Sequence, residues 1–462
     1  MNITRKVLMR TKPMDSHHDG HLHPCLNGFD LTLFGIGAII GAGIFVLTGI
    51  AAATEAGPAL MFSYLLAGVA CGFSALCYAE LAASIGGCGS AYHYAYVGLG
   101  EFIAWFIGWQ LILEYSLATS TVAIGWAGYV HDLLSAIGLN IPSELMHSPF
   151  DGGVFNLPAV LIIGFITILM CFGVKKSAWF NMIIVAVKLA AIGLFCVIAF
   201  THFDINNWHP FLPFGFQGVI NGAALIFFAY IGFDAVSTAA EETINPQRNV
   251  PIGILGSLAI CTVIYIIVSG LLTGAASYTT LNVSSPIANV LLNEGRKVAA
   301  AFIAVGAIAG LTTVILVMFY GLTRVLLAMS RDGLLPHELS MLSKGGNSPI
   351  RMILSTGFIM MLIAGFAPIH SVAALVNIGT LSAFVLVCLG VIILRKTKPN
   401  LPRPFKTPAN PWFPLMGIIL CLYLMLSLSV FTWIGFAIWI AIGLCIYFSY
   451  GQKRSRLANG AE

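Results

Sequence analysis

Long apolar stretches separated by short polar connections dominate the chain. Each is close to the roughly 20 residues that a helix needs to cross a bilayer. The twelve predicted spans, numbered in chain order, cover residues 29–52, 58–82, 97–129, 157–173, 178–201, 218–240, 251–274, 298–328, 352–368, 372–394, 411–429 and 432–450. Lipid-exposed backbone must form helices or closed barrels, and these runs are far too long for barrel strands. The pattern predicts an all-α polytopic membrane protein.

Composition supports the same class, because 58% of the residues are hydrophobic and only 9% are charged. Soluble domains carry about 25% charged residues. The composition therefore excludes a soluble globular enzyme, a disordered chain and a nucleic-acid binder, and it makes the lipid bilayer the main partner. The ten cysteines are scattered without a C-x-x-C pair, which predicts neither a disulfide framework nor a zinc site.

The basic residues predict the orientation. An even number of spans places both termini on one side, and all but three of the 22 Lys and Arg residues fall on that side. Arg296 and Lys297 lie on the opposite side, and Lys188 lies inside span 5. The positive-inside rule therefore predicts cytoplasmic termini in a multi-pass protein of the cell inner (plasma) membrane.

Two spans carry features that interrupt helices. Span 1 has four glycines within residues 35–43, which weakens a helix but also allows close helix packing. Span 6 places Gly232 beside Asp234 deep in an apolar run. Interrupted helices at corresponding positions indicate an inverted-repeat transporter site. The offset of five spans predicts repeats of spans 1–5 and 6–10.

This organisation predicts a cytoplasmic N-terminal tail at 1–28, five-helix repeats at 29–201 and 202–394, helices 11 and 12 at 395–450, and a cytoplasmic C-terminal tail at 451–462. The N-terminal tail lacks the apolar region of a cleavable signal peptide. Its His-rich run, HHDGHLH at 17–23, is compatible with metal chelation, but a solvated tail is favoured.

The interruptions also predict a ligand. Unwinding frees N–H groups that suit a carboxylate and carbonyls that suit an ammonium group. An α-amino acid carries both groups on one carbon, so two broken helices side by side form a receptor for it. No metal-ligand spacing such as H-E-x-x-H is present, so we expect a transporter without a catalytic or metal site.

Lys188 lies near the membrane midplane, where a charged lysine is costly. A proton-binding site is favoured over a structural pair within the bundle. Glu114, deep in span 3, has three open roles: partner of Lys188, substrate contact, or acid hydrogen-bonded to a neighbouring helix. Asp234 is interpreted as a cap of the second half of span 6. Glu80 and Glu101 lie near the cytoplasmic ends of spans 2 and 3 and are structural or inner-gate candidates.

Several motifs carry a resemblance to a known family. They include FDLTLFGIGAIIGAGIFVLTG at 29–49, GWQLILEY at 108–115, VAVKLA at 185–190, FFAYIGFDAVSTAAEETINPQRNVPIGI at 227–254 and NIGTL at 377–381. The chain resembles bacterial amino-acid permeases of the APC superfamily, closest to the cationic amino-acid transporter group. The resemblance implies a LeuT-like 5+5 inverted repeat with broken helices 1 and 6. It also implies sodium-independent, proton-linked amino-acid transport.

The resemblance further implies site residues. The substrate carboxylate would bind the amides of Gly41, Ala42 and Gly43, and Ile44 completes this side of the site. The amino group would bind carbonyls of Ile40, Phe228, Ala229 and Ile231. Met318 would line the side-chain pocket. Lys188 would take the place of a sodium ion, with Glu114 as the second proton-coupling candidate.

We therefore expect a proton-coupled symporter that imports an L-amino acid by alternating access, with a proton as coupling ion and no cofactor. No obligate protein partner is expected. An exchanger without net proton coupling and an amino-acid sensor with a transporter fold are the alternatives. Ala42 replaces the threonine of many bacterial relatives, and Met318 offers no counter-charge, so the group name does not establish a cationic substrate.

Overall fold

A computed structural model describes residues 10–12, 26–85, 90–136, 138–139, 141–172, 178–341 and 349–458. Within these ranges the chain is helical, and its one strand-like contact is an isolated bridge between Leu26 and Thr243. The His-rich run at 17–23 lies outside the described residues.

The helices are labelled in chain order. They are α1 (Gly28–Ile39), α2 (43–56), α3 (Leu60–Ile85), α4 (Ser90–Gly98), α5 (Glu101–Ala136), α6 (Leu157–Cys171), α7 (Ala178–Thr201), α8 (Gly215–Ile226), the 3-10 helix α9 (Asp234–Glu242), α10 (Pro246–Ala275), α11 (Pro286–Asn293), α12 (Lys297–Arg331), α13 (Ile350–Phe366), α14 (Ile369–Thr397), α15 (Trp412–Leu426) and α16 (Val430–Ile446).

Eight helical segments of the described chain are long and apolar enough to cross a membrane, and four shorter apolar helices accompany them. The protein is therefore an all-α polytopic membrane protein. Some predicted spans coincide with single helices, as at 178–201, where α7 has the same bounds.

Two local predictions are wrong. Residues 97–129 were expected to form one span, but α4 ends at Gly98 and α5 begins at Glu101. Gly100 between them has φ +107°, which favours glycine and stops a continuous helix. The sequence also predicts a turn fixed by Pro246 and Pro251 between spans 6 and 7, but Pro251 lies inside α10. Asn245 makes that turn instead, with φ +48°.

The long helices α5 and α12 pack against each other along the bundle, and α10 packs against α1 and α3. This arrangement surrounds the junction of α1 with α2 and the junction of α8 with α9. Both tails meet at one end of the bundle, where Lys12 Nζ binds Asp332 Oδ1 at 2.9 Å and the Arg456 amide donates to the Asp332 carbonyl at 3.0 Å.

Candidate functional site

Spans 1 and 6 are both interrupted. The first helix ends at Ile39, Ile40 is extended with ψ 100°, and α2 begins at Gly43. In the second span, a 3-10 turn over Phe227–Tyr230 follows α8, and Ile231 is extended with ψ 136° before α9. The interruptions expected from the glycines are thus present in the backbone.

The two interruptions cross in direct contact. A Cβ at Gly43 would lie 2.3 Å from Ala229 Cα, far inside van der Waals distance. Gly232 has φ +113°, and a Cβ there would lie 2.9 Å from the Ala38 carbonyl oxygen. Glycine is required at both positions, because only a residue without a side chain permits this approach and this backbone conformation.

Lys188 binds the first interruption from α7. Its fully buried Nζ donates to the carbonyls of Gly37 at 2.8 Å and Ile40 at 3.1 Å. A Cβ at Gly310 of α12 would lie 2.7 Å from Lys188 Cε, so this glycine makes room for the lysine. Among the described residues, no ion pair includes Lys188. Its partners are carbonyls freed by the break.

Other side chains bind the remaining freed carbonyls. The Tyr265 hydroxyl of α10 lies 3.0 Å from the Ile39 carbonyl oxygen and 2.9 Å from that of Ala229, so it bridges the two interruptions. Asn377 Nδ2 of α14 donates to the carbonyls of Ala224 and Leu225, each at 2.8 Å. Sequence reasoning gave neither residue a role, although Asn377 begins the NIGTL motif, because neither lies near a charge inside a span.

A small cavity lies where the interruptions cross, with a volume of about 10 Å³, roughly the space of one water molecule. It brings together the predicted residues Gly41, Ala42, Gly43, Phe228, Ile231 and Met318. Five further lining residues were not predicted: Ala38, Ile39, Ala118, Val122 and Val314. No side chain of this lining is polar or charged.

Three predicted substrate-binding residues do not line the cavity: Ile40, Ile44 and Ala229. The Ile40 carbonyl accepts from Lys188, and the Ala229 carbonyl accepts from Tyr265. In this conformation, these two carbonyls, which were predicted to bind the substrate amino group, therefore already accept hydrogen bonds from side chains of the protein. Ile44 is fully buried in α2, one residue beyond Gly43.

The structure narrows the open roles of Glu114. The Lys188 ammonium binds carbonyls instead, so an ion pair between the two residues is wrong for this conformation. Glu114 does not line the cavity. It is fully buried on α5 beside Thr380 of α14, without hydrogen-bond geometry to any described residue.

The capping interpretation of Asp234 is also wrong. Asp234 is the first residue of α9, the preceding Phe233 is the cap position, and no side chain caps that end. The Tyr115 hydroxyl of α5 donates to Asp234 Oδ2 at 2.6 Å instead. Asp234 therefore ties the second interruption to α5 through a side chain.

Glu80 lies in an ion cluster away from the cavity. Its carboxylate accepts from Arg395 at 2.6 and 2.9 Å and from the Thr407 amide at 2.7 Å, and Arg403 Nε lies 3.4 Å away. These contacts join α3 to the end of α14 and to the connection that follows it, which is a structural role.

Comparisons with known proteins identify the family of this chain. The amino acid permease family model matches residues 26–449. The chain is 48% identical to the methylthioribose transporter of Bacillus subtilis (strain 168), over 97% of this chain and 99% of that relative. It is also 48% identical to the branched-chain amino acid permease BcaP of the same organism, over 94% of each chain.

A more distant relative is the vacuolar cationic amino acid transporter 4 of Arabidopsis thaliana, which is 37% identical over 85% of this chain and 68% of the relative. Each of these relatives is a transporter or permease by name. The family match spans both interrupted helices and all of the residues that line the cavity. The chain therefore belongs to the amino acid permease family of the APC superfamily.

Proposed function

We propose that this protein imports a neutral, aliphatic L-amino acid across the cytoplasmic membrane by alternating access. The observation that carries the proposal is the cavity at the crossed interruptions, whose lining side chains are all apolar. An arginine or lysine side chain would be desolvated there without a counter-charge, which is strongly unfavourable. A branched or unbranched aliphatic side chain would replace water at an apolar wall.

The backbone supplies the other half of the proposed site. The amides of Gly41, Ala42 and Gly43 would receive the carboxylate at the start of α2, where the helix dipole is positive. The Ile231 carbonyl, at the extended residue of the second interruption, is the favoured acceptor for the amino group. The name of the permease BcaP, a relative that is 48% identical, supports a branched-chain substrate.

The volume of the cavity supports a conformational step. A space of about 10 Å³ does not accommodate an amino acid, so the walls must separate to admit one. Met318 of α12 and Val122 of α5 line the cavity from two different helices. Relative movement of these helices against the interrupted pair would open the site to one side and then to the other.

The wider architecture proposed here has twelve spans in a LeuT-like 5+5 inverted repeat, with helices 11 and 12 outside it. The two interrupted spans lie five spans apart, as such a repeat requires. The meeting of both tails at Asp332 supports an even number of crossings. The distribution of basic residues supports a cytoplasmic location for that end.

Proton coupling through Lys188 is the finer part of the proposal. The ammonium group makes charge-assisted hydrogen bonds to Gly37 and Ile40, and these hold α7 against the first interruption. Loss of the proton weakens both bonds, which would loosen the break and favour substrate release. Glu114 is the second proposed proton-coupling group because of its depth in the bundle.

The test is uptake of labelled leucine and arginine into proteoliposomes, with and without an inward proton gradient. We expect leucine accumulation driven by the gradient, no arginine accumulation, and loss of coupling in Lys188→Ala. Lys297→Ala changes an exposed lysine at the start of α12 and serves as the matched control. Uptake that requires internal amino acid and ignores the gradient would replace symport by exchange, and binding without flux would replace transport by sensing.

The methylthioribose transporter supports a second candidate substrate, since that relative is 48% identical over 97% of this chain. An apolar cavity suits a methylthio group as well as an aliphatic side chain. Methylthioribose has neither a carboxylate nor an amino group for the interruptions. The test is competition with labelled leucine in the uptake assay. This candidate is favoured if unlabelled methylthioribose inhibits leucine uptake at concentrations similar to those at which unlabelled isoleucine does.

A further inference from the structure

A large groove opens on the tail-bearing end of the bundle, apart from the cavity between the interruptions. It has a volume of about 860 Å³ and lies between the first turns of α10 and the connection from α14 to α15. Its walls are formed by Asn245–Arg248, Pro251, Ile252, Leu255, Gly256, Pro404 and Phe405. The cavity between the interruptions shares none of these residues.

The mouth of the groove is polar and positive. Arg248 lines it with an exposed side chain, and among the described residues it takes part in no ion pair. The exposed Lys406 follows the lining residue Phe405 directly. Within the described part of the chain, no acidic residue lines the groove. The mouth therefore carries positive charge that the described residues do not neutralise.

The inner part of the groove is apolar and continues onto the outer face of α10. Ile252, Leu255 and Phe405 form the apolar wall. Further along α10, Ile260, Val263 and Ile267 are 43–58% exposed at helical spacing, as side chains in contact with acyl chains are. A basic mouth thus leads directly to a strip of helix that faces lipid.

We propose that this groove binds one anionic phospholipid of the surrounding leaflet. Its phosphate lies against Arg248 with Lys406 as the second cation, and an acyl chain follows Ile252 and Ile260 along α10. Charge complementarity identifies the headgroup, because basic pockets between spanning helices attract anionic lipids. The apolar wall distinguishes a phospholipid from free phosphate, which would leave Ile252 and Phe405 without a partner.

The bound lipid would stabilise the connection between α9 and α10. Asn245 lines the groove and has φ +48° at the turn before α10. Two residues earlier, Thr243 forms the bridge to Leu26 of the N-terminal segment. A phospholipid against Arg248 therefore supports the point where this segment, the second interrupted span and α10 meet.

The test uses the full chain in two kinds of nanodisc. One kind contains phosphatidylcholine alone, and in the other phosphatidylglycerol replaces about a fifth of the lipid. We expect native mass spectrometry to retain phosphatidylglycerol, and the unfolding temperature to rise when it is present. Arg248→Gln should weaken retention about fivefold, the effect of one interfacial charge. Arg248→Lys should restore most of it, and Arg351→Gln, at an exposed arginine of the same end, should match the unaltered chain.

Equal retention in Arg248→Gln and in the unaltered chain would overturn the proposal. So would an equal rise in unfolding temperature when inorganic phosphate is added to phosphatidylcholine discs, because it would assign the effect to phosphate alone. Ile252→Gln tests the apolar wall, and unchanged lipid retention in that variant would also contradict the proposal. None of these readouts requires uptake, so their outcome is independent of the proposed substrate and coupling.

Discussion

The contact between Gly43 and Ala229 decides whether the two interruptions can cross. In Gly43→Ala, the added Cβ would lie 2.3 Å from Ala229 Cα, so the backbones must separate. Such overpacking costs about 1–3 kcal/mol, and the displacement falls directly on the proposed carboxylate amides. We expect leucine uptake in proteoliposomes to fall by about fivefold to about 150-fold, in line with that free energy.

The control for this variant is another glycine to alanine change inside a helix. Gly193 of α7 has open space around the position of a Cβ, and alanine favours a helix over glycine by about 1 kcal/mol. Gly193→Ala should therefore keep uptake and retain or raise the unfolding temperature. Wild-type uptake in Gly43→Ala would show that the crossing contact is not needed for transport.

At the scale of elements, Tyr265 joins α10 to both interrupted helices. Tyr265→Phe removes the hydroxyl that lies within hydrogen-bond distance of the Ile39 and Ala229 carbonyls. Buried carbonyls without a donor cost about 1–3 kcal/mol. We expect a lower unfolding temperature in detergent and slower leucine uptake, since the two interruptions lose a shared donor.

Tyr423→Phe is the matched control, because Tyr423 is 45% exposed on the outer face of α15. It removes the same hydroxyl without affecting either interruption. If the two variants unfold at the same temperature and transport equally well, the bridging role of Tyr265 is wrong.

The same elements explain how far sequence could predict this site. The glycine cluster at 35–43, the glycine beside an acid in span 6 and the lysine inside span 5 are signals with strong physical causes. Gly43, Gly232 and Lys188 could therefore be identified from their neighbours in the chain. Tyr265 and Val314 could not, because one tyrosine or valine among many in apolar helices carries no local signal. Their roles arise from the packing of α10 and α12 around the interruptions.

The acidic residues show what the sequence could not predict. The depth of Glu114 and Asp234 was readable from the sequence, but their partners were not. Asp234 binds Tyr115, a residue 119 positions away, and Lys188 binds backbone carbonyls rather than an acid. Backbone acceptors exposed by a break leave no trace in the sequence, so a pair of Lys188 with Glu114 stayed open among the alternatives.

At the scale of the whole molecule, both tails close one end of the bundle. The fully buried carboxylate of Glu101 accepts from Ser455 at 2.5 Å, from Tyr447 at 3.2 Å and from Tyr96 at 3.3 Å. Nearby, Tyr92 donates to Asp332 Oδ2 at 2.8 Å. Burial, and then the Asp332 charge, raise the pKa of Tyr92 well above its usual value, so this hydroxyl stays protonated and donates.

These contacts make the segment after α16 part of the closed end. Deleting residues 452–462 removes the Ser455 hydroxyl from Glu101 and the Arg456 amide from the Asp332 carbonyl. A buried carboxylate that loses a donor costs about 1–3 kcal/mol, or more for a charged group. We expect faster amide hydrogen exchange in α4 and at the start of α5, together with a lower unfolding temperature.

The deletion of residues 459–462 is the control, because it leaves Ser455 and Arg456 in place. Ser455→Ala isolates one contact and should accelerate exchange at Glu101 less than the longer deletion does. Because α4 contacts α9 of the second interrupted span and α5 lines the cavity with Ala118 and Val122, an opened end should also raise leucine efflux from loaded proteoliposomes. Identical exchange and efflux in the two deletions would mean that the tail covers this end without holding it closed.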